Sequence, residues 1–245
     1  MTPEVGILQA TQQGRRYIVV DDFLSPSGFA AAQDLMEGAA FTLRESVISS
    51  EDGPAFRSRG ARFRHDLGTP DAPRQAEVYE ELARTVRTFA HFFGEAGADW
   101  DRISFAFWKY PAGSRLGWHN DAGLGRQGEF ILFLHDRWRP SWGGELKLVD
   151  EDPLPATEAE DAVKDLVLRM EARIERSRTS PVAIVPKPNR LVMVKADTVH
   201  TIGRVDPTAG DALRRTLTGF VAKSPARQRT RESALESLSA LLTTN

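Results

Sequence analysis

Apolar residues along this chain change their spacing several times, and each spacing selects a different element. Tyr17-Ile18-Val19-Val20-Asp21-Asp22-Phe23-Leu24 is β-branched and aromatic, which predicts a strand. Ser25-Pro26 follows, a capping residue with proline at the first helical position, and Phe29, Ala32, Leu35, Met36 and Ala39 give the ensuing helix one apolar face. Between Phe41 and Leu67 the pattern is short, strand-like and arginine-rich, with Arg57, Arg59, Arg62 and Arg64 around a turn near Pro54. Irregular charged segments are where binding residues gather, so part of this stretch is a candidate substrate mouth. From Pro73 to about Phe93, Val78, Leu82, Val86, Phe89 and Phe93 recur at helical spacing and predict the longest helix, laid against the outside of a sheet.

Strand patterns dominate after that helix. Ile103 to Tyr110 alternates and stops at Pro111-Ala112-Gly113; Phe130-Ile131-Leu132-Phe133-Leu134 is a second apolar strand, and Gly143-Gly144 leads into a third. The pattern resumes at Val182–Val185, Arg190–Val194 and Arg215–Val221. Successive short strands punctuated by Gly and Pro predict a β-sandwich or barrel with helices outside it. Glu151–Ser180 breaks the rhythm: Val163, Leu166, Val167, Met170 and Ile174 mark an amphipathic helix, read as an insertion docked on the barrel, with a lid or a homodimer contact as the sharper alternatives. Leu235, Leu238, Leu241 and Leu242 predict a terminal helix.

Composition narrows the chemistry. With 245 residues, 41% of them hydrophobic, the chain can build one sizeable core. A formal charge of −2 argues against a nucleic-acid binder. Without cysteine there are no disulfides, thiolate zinc sites or iron–sulfur ligands, which leaves carboxylates and five histidines as strong metal ligands. No apolar run suggests a signal peptide or a membrane span, so the expectation is a soluble, cytoplasmic protein. Within Gly117-Trp118-His119-Asn120-Asp121-Ala122-Gly123, His119 and Asp121 share one face of an extended segment and can grip one divalent metal from adjacent corners. A distant imidazole, offered by His200, completes a facial triad with open positions. His65 and His135 lack ligand-spaced partners and read as structural, and His91, on the long helix, reads as a surface or packing histidine.

These parts in this order resemble the iron(II)- and 2-oxoglutarate-dependent dioxygenases, in the branch that contains prolyl 4-hydroxylase-like enzymes: a strand ending in Tyr110, His119-Asn120-Asp121, Trp138 with Trp142-Gly143-Gly144-Glu145-Leu146, and Asn189–Val194 followed by Asp197, His200, Ile202 and Val205. The resemblance runs from about Ser104 to Val221. Lys195 departs from it, standing where the family usually has an aromatic residue. It implies a mostly β fold, a double-stranded β-helix or jelly roll of cupin type, in a single domain: an N-terminal support at 15–100, the core at 101–223 with the helical insertion at 151–180, and a C-terminal helix at 229–243. It implies iron(II) on His119, Asp121 and His200, 2-oxoglutarate and dioxygen as co-substrates, and ascorbate as reductant. A retained Asp121 points to oxygen transfer, because related halogenases replace that carboxylate with a small residue. The distal carboxylate of 2-oxoglutarate needs a cation, and a guanidinium fork suits it. Arg214, Arg215 and Arg204 compete; the family's basic residue precedes a strand hydroxyl by four positions, and Arg214 is favoured because it stands so relative to Thr218, with Thr216 on the same strand face. Tyr110 matches a tyrosine that hydrogen-bonds the same co-substrate, and Phe133 and Leu146 would wall its chain. Trp118, Asn120, Arg115 and Arg126 flank the metal motif and could line the mouth. The implied activity is hydroxylation of an unactivated C–H on an amino-acid-like small molecule or a peptidyl residue, with release of succinate and carbon dioxide. The competing reading is a non-catalytic jelly roll acting as a sensor or scaffold.

Overall fold

The structure, a computed structural model, describes residues 9–64 and 73–225, with side chains from residue 78 onward in the second segment. The predicted terminal helix and His65 lie outside the described residues. In chain order the elements are β1 (Gln12–Gln13), β2 (Tyr17–Val20), α1 (Pro26–Glu37), β3 (Phe41–Arg44), β4 (Ala55–Ser58), β5 (Ala61–Arg64), α2 (Pro73–Thr88), α3 (Ala90–Phe93) and β6 (Arg102–Tyr110). Then follow β7 (Leu116–His119), β8 (Arg126–Phe133), β9 (Leu146–Leu148), α4 (Glu158–Asp161), α5 (Leu166–Glu175), β10 (Val182–Ile184), β11 (Leu191–Lys195), β12 (His200–Ile202) and β13 (Arg214–Ala222).

Two antiparallel sheets result. The major sheet has nine strands in the order β1-β2-β11-β8-β13-β6-β4-β3, with β5 also pairing β6; the minor sheet has four, β10-β9-β12-β7. Period-two alternation decides what each face of the major sheet buries. Ile18, Phe130, Leu132, Leu191, Met193, Leu217 and Val221 meet Ala32 and Met36 of α1 and Val78, Leu82 and Val86 of α2. Val19, Ile131, Phe133, Val192 and Val194 point the other way, against Leu146, Leu148 and Ile184 of the minor sheet. This is a double-stranded β-helix flanked by helices.

Local sequence explains most boundaries. Ser25 caps α1 by accepting a hydrogen bond from Gly28 N at 3.0 Å, with Pro26 in the first turn. The helix expected from Pro73 to Phe93 is broken at Phe89, whose backbone is non-helical (φ −100°, ψ 42°). The break turns Phe92 and Phe93 into the core, where the Phe93 ring fills the space left by the absent side chain of Gly128. Lys195 sets its ammonium over the Phe92 ring at 5.0 Å, a cation–π contact at the position where an aromatic residue was expected.

The insertion holds two helices. Thr157 and Glu160 form a reciprocal capping box on α4, and Asp165 caps α5, so Val163 falls between them. Met170 of α5 is buried with Val149 and Val199, and Trp118, Leu166 and Ile174 pack around them. The insertion is therefore docked on the outside of β7, where Gly117 lets the Val167 side chain come close.

Candidate metal and co-substrate site

His119 ends β7, His200 begins β12, and the two are direct cross-strand partners. Their rings lie 4.2 Å apart between centroids. Each Nδ1 is held by a backbone carbonyl two residues back: His119 to Gly117 O at 2.7 Å and His200 to Thr198 O at 2.8 Å. A carbonyl can only accept, so Nδ1 carries the proton and each Nε2 presents its lone pair. Asp121, in the turn after β7, places Oδ2 3.9 Å from His119 Nε2 and 3.8 Å from His200 Nε2. The three donor atoms lie within 4.8 Å of one another.

The surroundings suit a cation. Burial lowers both imidazoles below the ordinary histidine range, His119 to about 4 with its neighbour His200 adding to the effect, so both rings are neutral at pH 7. Arg126 Nη1 donates to Asp121 Oδ1 at 2.8 Å, which orients the carboxylate with Oδ2 toward the two imidazoles. Asn120 donates to Asp197, linking the two loops that carry the donors. Two neutral imidazoles with locked tautomers and one oriented carboxylate form the 2-His-1-carboxylate set suited to non-haem iron(II).

A cavity of about 680 Å³ opens from these donors, lined among others by Tyr110, Leu146, Arg214 and Thr218. Arg214 is fully buried: its Nε donates to Gly144 O at 2.7 Å, and its guanidinium lies 5.0 Å from the Phe133 ring and 5.8 Å from the Tyr110 ring. Burial lowers its pKa to about 10, so it remains charged at neutral pH. Its Nη2 is buried without a hydrogen-bond partner among the described residues. An orphaned buried guanidinium nitrogen fits a carboxylate ligand, because burying it unpaired is costly. The Gly143-Gly144 turn makes room: both residues have positive φ, and a Cβ on Gly144 would sit 2.8 Å from Arg214 Cδ. Trp138 Nε1 braces the turn by donating to Gly143 O at 2.9 Å.

Strand parity separates the three candidate arginines. Arg215 faces outward and pairs with Glu37 at 2.6 Å, and Arg204 donates to Gly113 O on the surface, whereas Arg214 faces inward. Thr216 and Thr218 share its face, and Thr218 Oγ1 donates to Thr216 Oγ1 at 3.2 Å. Burial raises the Tyr110 phenol to about 12, which keeps it neutral. Phe133 and Thr216 are fully buried on this face without lining the cavity. Of the residues flanking the motif, Arg115 lines the cavity, while Trp118 packs under α5 and Arg126 and Asn120 hold other side chains. Arg44, Arg57 and Arg62 of the arginine-rich stretch do reach the mouth; no residue of the 151–180 insertion lines it.

Sequence reasoning missed Glu129. It is buried, lines the cavity, and sets Oε1 3.2 Å from His200 Nε2. Burial first, then the charge of Asp121, raises its carboxyl well above the usual range. Its parity with Ile131 and Phe133 was the available signal.

Residues 105–222 match the family model of the 2OG-Fe(II) oxygenase superfamily. No curated protein sequence matches the chain significantly. Among solved structures it is similar to a Pseudomonas putida prolyl-4-hydroxylase (TM-score 0.52, 16% identity, covering 86% of this chain and 94% of that one). It is also similar to a 2OG-Fe(II) oxygenase family oxidoreductase from Burkholderia pseudomallei (TM-score 0.54, 14% identity, 84% of each chain). A third is a Trichoplax adhaerens prolyl hydroxylase in complex with a hypoxia inducible factor peptide fragment (TM-score 0.52, 17% identity, 85% of this chain and 84% of that one). At these identities the structural likeness speaks for the fold, and the family model for the family. The matched segment contains all three convergent donors and the buried arginine, so the sequence pattern of the 2OG-Fe(II) oxygenase superfamily covers the whole of this site.

Proposed function

We propose that this oxygenase hydroxylates an unactivated C–H of an amino-acid-like small molecule or a peptidyl residue, with His119, Asp121 and His200 holding iron(II) and Arg214 holding the distal carboxylate of 2-oxoglutarate. The observation that carries the reading is the joint presence, in one cavity, of three convergent donors and a buried guanidinium nitrogen without a partner. Bound iron with 2-oxoglutarate supplies the oxidising power, and decarboxylation of the co-substrate gives succinate and carbon dioxide. The chain supplies placement. Arg214, charged and pinned by Gly144 O, offers Nη2 to the co-substrate, and Tyr110 and Thr218 stand along the same wall. Leu146 and Phe133 form an apolar flank that excludes water. The carbonyls of Gly117 and Thr198 hold both imidazole tautomers so that Nε2 faces the ion. The remaining cavity, walled by Phe105, Trp108, Ile131 and Phe220 with arginines at its mouth, takes the substrate.

Purified protein with iron(II), ascorbate and 2-oxoglutarate is expected to form succinate, coupled to a substrate or slowly without one. His119→Ala and His200→Ala are each expected to abolish that turnover and to weaken iron binding while the far-ultraviolet circular dichroism stays that of the parent. Absence of both turnover and iron affinity in the parent protein overturns the reading.

A further inference from the structure

Three arginines share the inward face of the major sheet with the co-substrate wall. Residues paired across an antiparallel ladder point to one side, so register fixes the direction of each. Arg57 on β4 is paired with Trp108 on β6, and Arg62 on β5 with Ser104 on β6. Arg44 on β3 is paired with Ala55, two residues before Arg57, and therefore points the same way. On that face of β6, Tyr110 is the register partner of Arg214. All three arginines line the cavity.

Among the described residues none of the three has a carboxylate partner. The outer face of the same sheet treats its cations differently, since Lys109 and Arg215 both pair with Glu37, at 3.6 and 2.6 Å. Within the cavity Arg115 is also taken, by Glu51 at 2.9 Å and Asp52 at 3.4 Å. Of the carboxylates on the cavity wall, Asp121 and Glu129 stand at the metal end, and Glu45 is exposed and pairs with none of the arginines. Arg57 is half-buried and held in place: its guanidinium lies 5.5 Å from the Trp108 ring, which stacks on Tyr110 at 6.0 Å. Guanidinium groups gathered on one wall repel one another, and an oxyanion relieves that repulsion while meeting each fork with two parallel hydrogen bonds.

The sheet also sets the span. Arg62, Ser104, Phe220 and Glu129 form one transverse row. The arginine strand therefore stands three strand spacings, roughly 14 Å along the sheet, from the strand beside the metal donors. The wall between is formed by Phe105, Ala106, Trp108 and Phe220, and the volume of about 680 Å³ is that of a pocket for one drug-sized molecule. We propose that Arg57 and Arg62, with Arg44 at the rim, bind an oxyanion of the substrate, a carboxylate or a phosphate, and that the substrate is a small acidic molecule whose reacting C–H lies at the other end, by the metal donors. This rests on the oxygenase reading above and narrows its substrate class to acids.

The test uses protein loaded with manganese(II), which spares 2-oxoglutarate from turnover, and with enough 2-oxoglutarate to fill the Arg214 site. Calorimetric titration sets each acid against a counterpart lacking the acidic group: L-aspartate against L-asparagine, L-glutamate against L-glutamine, O-phospho-L-serine against L-serine, and phenyl phosphate against phenol. At least one acid is expected to bind about tenfold or more tighter than its counterpart, and the pair that responds separates carboxylate from phosphate. Arg57→Gln and Arg62→Gln are each expected to remove most of that preference. Arg59→Gln, on the exposed turn between β4 and β5 and outside the cavity wall, should leave it unchanged. Equal binding within every pair, measured on the parent protein alone, overturns the proposal whether or not the variants fold. A preference that survives the combined Arg57→Gln and Arg62→Gln replacement overturns it too, as does one confined to hexaglutamate over hexaglutamine, which would assign the arginines to an acidic peptide. In each of these cases retained binding of manganese and 2-oxoglutarate keeps the oxygenase reading intact. A parent protein that binds neither overturns both.

Discussion

Arg214 and Arg215 are adjacent in sequence and opposite in consequence. Arg214 lies buried under Gly144, and Arg215 lies on the outer face against Glu37. Arg214→Gln is expected to raise the KM for 2-oxoglutarate by about 10–100-fold, the value of one charge-assisted contact, whereas Arg215→Gln leaves it unchanged; steady-state succinate assays distinguish the two. His135 shows a different kind of residue effect. It is stacked between Phe133 and Trp138, at 5.6 and 4.9 Å, with both ring nitrogens buried and unpartnered among the described residues. Burial, helped by the charge of Arg214, lowers its pKa to about 4. The unfolded chain, with an ordinary histidine pKa near 6.5, therefore takes up its proton first as pH falls. Stability is complete above pH 6.5 and drains away as pH drops toward 4, by on the order of 3 kcal/mol from this group. His135→Phe is expected to flatten the dependence of the urea midpoint on pH by about that much over the same window. Parity made His119, Asp121 and Arg214 legible in the sequence. Glu129 was not, because it precedes an unbroken apolar run and reads as the polar edge of a buried strand.

Elements were legible where local chemistry sets their limits, and illegible where tertiary packing does. Ser25-Pro26 announces α1, and the glycine pair announces the turn over Arg214. Nothing local announces the break at Phe89, since the apolar spacing runs on through it; the break serves the fit of Phe93 over Gly128. Strand partners were also hidden, because pairings such as β11 with β2 join segments more than 150 residues apart. The α5 helix acts on the site from outside by packing on β7. Met170→Ala, which empties the contact with Val149 and Val199, is expected to destabilise the protein by about 2–5 kcal/mol. Hydrogen exchange should show the loss first in β7, with the α1 and α2 side of the major sheet retaining its protection.

At the scale of the whole molecule, one apolar layer joins the helices to the major sheet and a second joins the two sheets, so the barrel wall does not depend on a ligand for its core. Metal stabilises it further by mass action. At a free concentration a hundred times its Kd, a divalent ion is expected to add about 2.7 kcal/mol, or a rise of about 5–10 °C in Tm for a chain of this size. EDTA should reverse that rise, as scanning calorimetry can check. No helix among the described residues is long and apolar enough to cross a membrane. His119 and His200 face each other across the β7–β12 pair, and Asp121 stands on the turn that leads into β8 of the other sheet. An ion gripping all three is therefore a rivet through the sandwich, pinning the outermost strand of one sheet to the approach of the other. A slip of β7 by a single residue would turn His119 to the opposite face and undo the grip. Bound iron would thus select the alignment of its own ligands, adding to the hold that the short β12 strand and the docked α5 helix already have on that edge.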